Sequence, residues 1–174
     1  ENTDIKEAAF TVLGSIALHG LRLSEATLGS KVVVIGLGVI GQLVCRLAEA
    51  QGSEVTGIDP DPERSKNQEN FFTSADDVEL RDVDTVIITA ATSSNEPIEL
   101  ATNIARNKAK IVVVGDIPLN ISRNDFYYKE LELVVSKSYG PGRYDKQYET
   151  LGNDYPIEYV RWTENRNFVA FTKL

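Results

Sequence analysis

Residues 31–42, KVVVIGLGVIGQ, constrain this chain more than any other stretch. Val32, Val33, Val34 and Ile35 form a continuous β-branched run, the mark of a strand covered on both faces. Gly36, Gly38 and Gly41 follow as G-x-G-x-x-G at the strand's carboxyl end, where a helix must begin. Gly36 permits the tight turn, Gly38 lets a pyrophosphate approach the backbone, and Gly41 lets the new helix pack closely on the strand. The helix N-terminus adds unpaired N–H groups and a partial positive charge. Glycine-rich turns match this pattern by chance, so the context matters. Here residues 53–58 read as the next strand, ending at Asp59, 21 residues past Gly38. An acid there can accept hydrogen bonds from both ribose hydroxyls of an adenosine and repels a 2′-phosphate. The motif therefore predicts a dinucleotide site, with NAD preferred over NADP.

The remaining composition narrows the class. A chain of 174 residues suits one domain with an extension, and its 42% hydrophobic and 25% charged content is ordinary for a globular protein. A formal charge of −8 argues against nucleic acid and anionic membrane surfaces as partners. No apolar run approaches the ~20 residues of a membrane span, and the polar opening ENTDIKE has no signal-peptide pattern. Cys45 is the one cysteine and cannot form an internal disulfide, which favours a reducing, cytoplasmic setting. It reads as a small apolar helix residue. His19, the one histidine, has no visible partner for acid–base work and reads as structural. No Cys, His and carboxylate set has metal-ligand spacing. Neither a catalytic nor a metal-binding residue is expected.

Taken in order, residues 4–22 read as a leading helix, with Thr3 or Asp4 as cap and Glu7 close enough for a capping box. Residues 1–30 are this helix and a connector, 31–138 the dinucleotide-binding domain, and 139–174 a C-terminal extension. A helix from about 40 to 51 ends near Gly52, and a short polar helix over 63–70 places Arg64 to reach the adenine or its ribose. Only 24 residues separate Asp59 from Asp84, against about 35 for a full strand–helix–strand–helix passage. The unit is either trimmed or short of part of its natural chain. Residues 84–91 then form a strand, 95–107 a helix capped by Asn95, 109–115 a strand and 122–129 a helix capped by Ser122. The last strand, 130–137, has polar ends, as suits a sheet edge. This alternation predicts an α/β fold with parallel strands and right-handed crossovers. The extension holds five of the seven tyrosines and the one tryptophan, with a helical pattern over 160–171. It is expected either to dock on its own domain or to serve as a contact surface.

The leading helix EAAFTVLGSIALHGLRL, the segment LGSKVVVIGLGVIGQLVCRLAEAQGSEVTGIDPDPERS, and the strands DTVIITAAT and AKIVVVGDIP together resemble the cofactor-binding domain of zinc-type medium-chain dehydrogenases/reductases, the alcohol and sorbitol dehydrogenase family. The tail, with GRYD and YPIEYVRWTENRN, is similar to that of dehydrogenases from bacterial surface-polysaccharide gene sets. The resemblance implies a Rossmann-type doubly wound parallel sheet of about six strands with an aromatic-rich C-terminal extension. It implies pyrophosphate contacts at Leu37, Gly38, Val39 and Ile40, within the turn bounded by Gly36 and Gly41. Ribose contacts would fall at Asp59 and Arg64. Ala90, Ala91 and Thr92 would border the ribose, Gly115, Asp116 and Ile117 would lie near the nicotinamide, and Tyr139 would close that side. The family's zinc-bearing substrate domain has no counterpart here, so the chain is expected to be a cofactor domain that binds NAD(H) and oxidises no alcohol by itself. Zinc would belong only to that missing N-terminal catalytic domain. Similar dehydrogenases also imply a homodimer through the edge strand from Leu131 to Lys137. A regulatory nucleotide-sensing domain of the ion-transport type shares the glycine turn and the acid. The leading helix and aromatic tail are features such a sensor does not need. A third reading is a pure assembly module with a vestigial site.

Overall fold

The computed structural model describes residues 9–66 and 68–174. Six strands form one all-parallel sheet in the order β3-β2-β1-β4-β5-β6. In chain order the elements are α1 (Thr11–Ser24), β1 (Lys31–Ile35), α2 (Val39–Ala50), β2 (Glu54–Ile58), α3 (Pro62–Ser65) and β3 (Phe71–Phe72). A 3₁₀ turn (Ala75–Asp77) leads to β4 (Val83–Ile88), α4 (Glu96–Ile104), β5 (Ala105–Val113), α5 (Arg123–Lys129) and β6 (Glu132–Val135). The extension adds α6 (Lys146–Glu149) and α7 (Glu164–Phe171). The fold is the doubly wound α/β sheet that the sequence predicts.

The period-2 alternation of β1 explains the two cores. Val32 and Val34 join Ala17 and Leu21 of α1 and Val44, Cys45 and Ala48 of α2 on one face. Val33 and Ile35 join Ile98 and Ala101 of α4 on the other. Each face is apolar because each is covered, as a parallel sheet requires. Burial pushes the Cys45 thiol up to about 12, with Glu49 adding to the effect, so the thiol stays protonated and unreactive.

Several boundaries differ from the sequence reading. The expected start of the leading helix at Asp4, with its Thr3, Asp4 and Glu7 capping, lies outside the described residues. The polar helix over 63–70 shrinks to α3, whose Asp61 cap accepts from the Glu63 N–H. Asn95 and Ser122 make no side-chain cap bond. Asn95 instead donates to Glu99 Oε1 and to the Asn120 carbonyl, bracing the loop after β5. Helix α4 stops at Ile104, and β5 begins at once, at Ala105 rather than residue 109. The early start is accommodated by a bulge: the β4–β5 register shifts between Val83 and Thr85, and Lys108 takes a left-handed φ of 61°. Strand β6 is shortened at its start by Glu130, whose φ of 49° ends α5. Helix α7 starts at Glu164, four residues later than its apolar pattern suggests. The passage from Asp59 to β4 is short: β3 has two residues, and the segment between it and β4 holds a single 3₁₀ turn, Ala75–Asp77.

Candidate functional site

The strand order places β1 and β4 side by side, with the chain leaving β1 toward β2 and leaving β4 toward β5. Ligands of such sheets sit at this reversal, outside the carboxyl ends of the strands. A cleft of about 670 Å³ lies there, lined by Gly36, Gly38, Asp59, Arg64, Ala90, Ala91 and Thr92 among others. A second hollow of about 490 Å³ is bounded by Ala91, Thr92, Asp116, Ile117 and Pro118. Ala91 and Thr92 are common to both, and the Thr92 N–H donates to the Asp116 carbonyl at 3.0 Å.

The glycine turn has the form its three residues require. Gly36 has φ 97°, and its amide donates to the Ile58 carbonyl at 2.8 Å. A Cβ on Gly41 would lie 1.9 Å from the Gly36 carbonyl oxygen, so only glycine lets α2 start this close to the turn. A Cβ on Gly38 would meet no protein atom within 4 Å. The protein leaves that space open, and Gly38 lines the cleft at the N-terminus of α2. A pyrophosphate fits such a cradle of open space and helix N–H groups.

Asp59 is buried, with 3% exposure. Its Oδ2 accepts from the Leu37 N–H at 2.7 Å and from Arg64 Nη1 at 3.1 Å, and its Oδ1 accepts from the Asp61 N–H at 2.9 Å. The acid thus ties the tip of the glycine turn to the loop after β2 as well as facing the cleft. Thr89 Oγ1 donates to the Gly36 carbonyl, joining the turn to β4.

Of the residues predicted from sequence, the structure gathers Gly36, Gly38, Asp59, Arg64, Ala90, Ala91 and Thr92 in the main cleft, with Asp116 and Ile117 in its neighbour. Leu37 and Gly41 are buried in the turn, while Val39 is 52% exposed at the start of α2 and Ile40 half-buried. Gly115 backs the site, since a Cβ there would lie 2.0 Å from the Ala90 carbonyl oxygen. Tyr139 lines neither hollow. Its ring packs on Phe168 at 5.0 Å and its carbonyl accepts from Asn167, which places it in the tail. Sequence reasoning missed Thr89 and the wall formed by Thr73, Ser74, Ala75 and Asp76. The wall had a legible signal, because Ser74 and Asp77 form a capping box.

Among the described residues, no group of three or more His, Cys, Asp or Glu is placed to hold a metal ion. No helix among them is long and apolar enough to cross a membrane.

A six-stranded parallel sheet with a glycine cradle and an acid after β2 defines a nicotinamide-dinucleotide-binding domain of the dehydrogenase class. The family model for the D-isomer specific 2-hydroxyacid dehydrogenase NAD binding domain matches residues 14–125, and the chain belongs to that family. A curated relative, 2-dehydro-3-deoxy-L-galactonate 5-dehydrogenase of Pseudoalteromonas atlantica, is 27% identical over 86% of this chain and 48% of its own length. The chain thus spans about half of that relative. Among solved structures, L-idonate 5-dehydrogenase from Escherichia coli superposes with a TM-score of 0.73 at 16% identity, covering 98% of this chain and 46% of the neighbour. A protein assigned as a zinc-binding dehydrogenase from Sinorhizobium meliloti 1021, bound to NADP, gives 0.64 at 24% identity, covering 74% of this chain and 43% of the neighbour. At such identities these neighbours speak to the fold alone.

Proposed function

We propose that this chain is the NAD(H)-binding part of an oxidoreductase of the zinc-type medium-chain kind. The parent reaction would be hydride transfer between the nicotinamide and an alcohol or carbonyl substrate. The observation that carries the reading is the open space beside Gly38, bounded by the N-terminus of α2 and joined through Leu37 to Asp59. When bound, the nicotinamide supplies the hydride donor or acceptor. The chain's own residues bind and orient it. The turn from Gly36 to Gly41 holds the pyrophosphate, Asp59 and Arg64 the adenosine ribose, and Ala90 to Thr92 the wall beside it. Asp116 and Ile117 border the nicotinamide end. The described residues do not suit a zinc ion, so polarisation of the substrate would fall to a further part of the parent protein. The buried acid and the surplus of acids over cations in the cleft favour NAD over NADP. We further propose a homodimer formed through the outer edge of β6.

The match to the 2-hydroxyacid dehydrogenase model favours a second reading, a parent acting on 2-hydroxy acids. Chelation of the parent enzyme separates the two, because only the zinc-type reading expects activity lost with the metal and restored by zinc. The test for the chain itself is calorimetric titration with NADH. Saturable binding with a one-to-one stoichiometry is expected, and no heat of binding at millimolar NADH would overturn the assignment.

A further inference from the structure

The group at the mouth of the main cleft carries an inference that rests on reading this cleft as a dinucleotide site. Among the described residues lining the cleft, Arg64 is the one cation, set against Asp59, Asp76 and Glu96. Its guanidinium is already engaged. Nη1 lies 3.1 Å from Asp59 Oδ2, and Nε lies 3.3 Å from Asp61 Oδ2. Asp61 is itself held by two hydrogen bonds: its Oδ1 accepts from the Glu63 N–H at 3.0 Å, and its own N–H donates to Asp59 Oδ1 at 2.9 Å. Two carboxylates against one guanidinium leave the trio net negative. A 2′-phosphate would bring nearly two further negative charges and needs an unencumbered guanidinium to receive them.

The two acids are not equivalent. Asp59 also holds the buried Leu37 N–H, so replacing it disturbs the glycine turn itself. Asp61 touches no part of that turn, and its side chain is 47% exposed. We propose that Asp61 is a specificity-determining residue. By pairing with Arg64 it withholds the guanidinium from a 2′-phosphate and so selects the dinucleotide that lacks one. The cleft then contains a phosphate-binding arginine held in check by a carboxylate that the ligand itself does not meet.

The test compares fluorescence titrations of NADH and NADPH against the wild type, Asp61→Asn, Arg64→Ala and the double variant. Asparagine keeps a side-chain oxygen able to cap α3, so the loop is retained while the charge is removed. The ratio of NADPH to NADH dissociation constants should fall roughly tenfold in Asp61→Asn, the size of one charge-assisted hydrogen bond partly screened by solvent. The fall should vanish when Arg64 is alanine. An unchanged ratio with NADH binding intact overturns the role of Asp61 and leaves the dinucleotide assignment standing. A fall that persists without Arg64 overturns it too, since the effect would then be general charge. Failure of the wild type to bind NADH overturns both. Should Asp61→Asn not fold, by circular dichroism, Asp61→Ser retains a cap and carries the same comparison.

Discussion

Within the glycine turn, three residues of one type have separable jobs, and the structure makes the separation measurable. The space a side chain would need is free at Gly38 and already filled at Gly41, where a Cβ would come within 1.9 Å of a carbonyl oxygen. The backbone at Gly38, φ −65°, suits any residue. Gly38→Val should therefore leave the melting temperature close to wild type, within the ~0.5 kcal/mol typical of surface changes, while abolishing NADH binding. Gly41→Ala should do the reverse in part, costing about 1–3 kcal/mol through overpacking. Thermal unfolding and NADH titration of the two variants check both. Retained NADH affinity in a folded Gly38→Val protein would mean the ligand lies elsewhere. The spacing of these glycines and of Asp59 was readable from the sequence, because it repeats a backbone requirement. The bond from Asp59 to the Leu37 N–H was not readable, because only the folded turn sets which way the carboxylate points.

Where elements meet, the least legible part was the tail. Its aromatics suggested docking, and α7 does pack against α1, with the Phe171 ring seated on Gly14, but the joint also holds polar pairings that the aromatics do not announce. Asn167, fully buried, accepts from Arg22 of α1 and donates to the Tyr139 carbonyl, and Trp162 lies under the Arg22 guanidinium at 3.4 Å. Such pairings depend on tertiary placement and leave no period in the sequence. The strand run of β1 and the helix after it were legible for the opposite reason, since their apolar spacing is dictated locally. His19 sits in this joint beside Gly140. Burial, with Arg22 one turn further on, pushes its imidazole down to about 4 from an ordinary 6.5. A histidine depressed in the folded state is protonated first in the unfolded chain, so its contribution is complete above pH 6.5 and is lost as pH falls toward 4. The whole effect is about 3 kcal/mol at most, less any screening by solvent. Urea unfolding at intervals from pH 7 to 4 should show a steeper loss of stability in the wild type than in His19→Gln. Parallel curves would remove His19 as the cause.

For the molecule as a whole, the open question is what becomes of the sheet's two ends. The β3 end closes itself, because that strand has only two residues. The β6 end does not. The tail helix α7 lies on α1, and Val135 remains 60% exposed at the strand's end, near Tyr127 and Tyr128 in sequence, themselves 62% and 78% exposed. An edge of this kind, with apolar side chains and no proline, is a template for pairing. The Ser136 N–H donates inward to the Val113 carbonyl, so by strand alternation the amides of Leu133 and Val135 face outward. The proposed two-fold dimer would use those outward groups, with β6 antiparallel to its mate. Val135→Pro should then dissociate the dimer without unfolding the monomer, since proline removes an outward donor and leaves the β5–β6 ladder whole. Sedimentation of the wild type at tens of micromolar should give a dimer, and the variant a monomer with unchanged circular dichroism. A wild-type monomer, or a dimer indifferent to Val135→Pro, would place the association somewhere other than this edge.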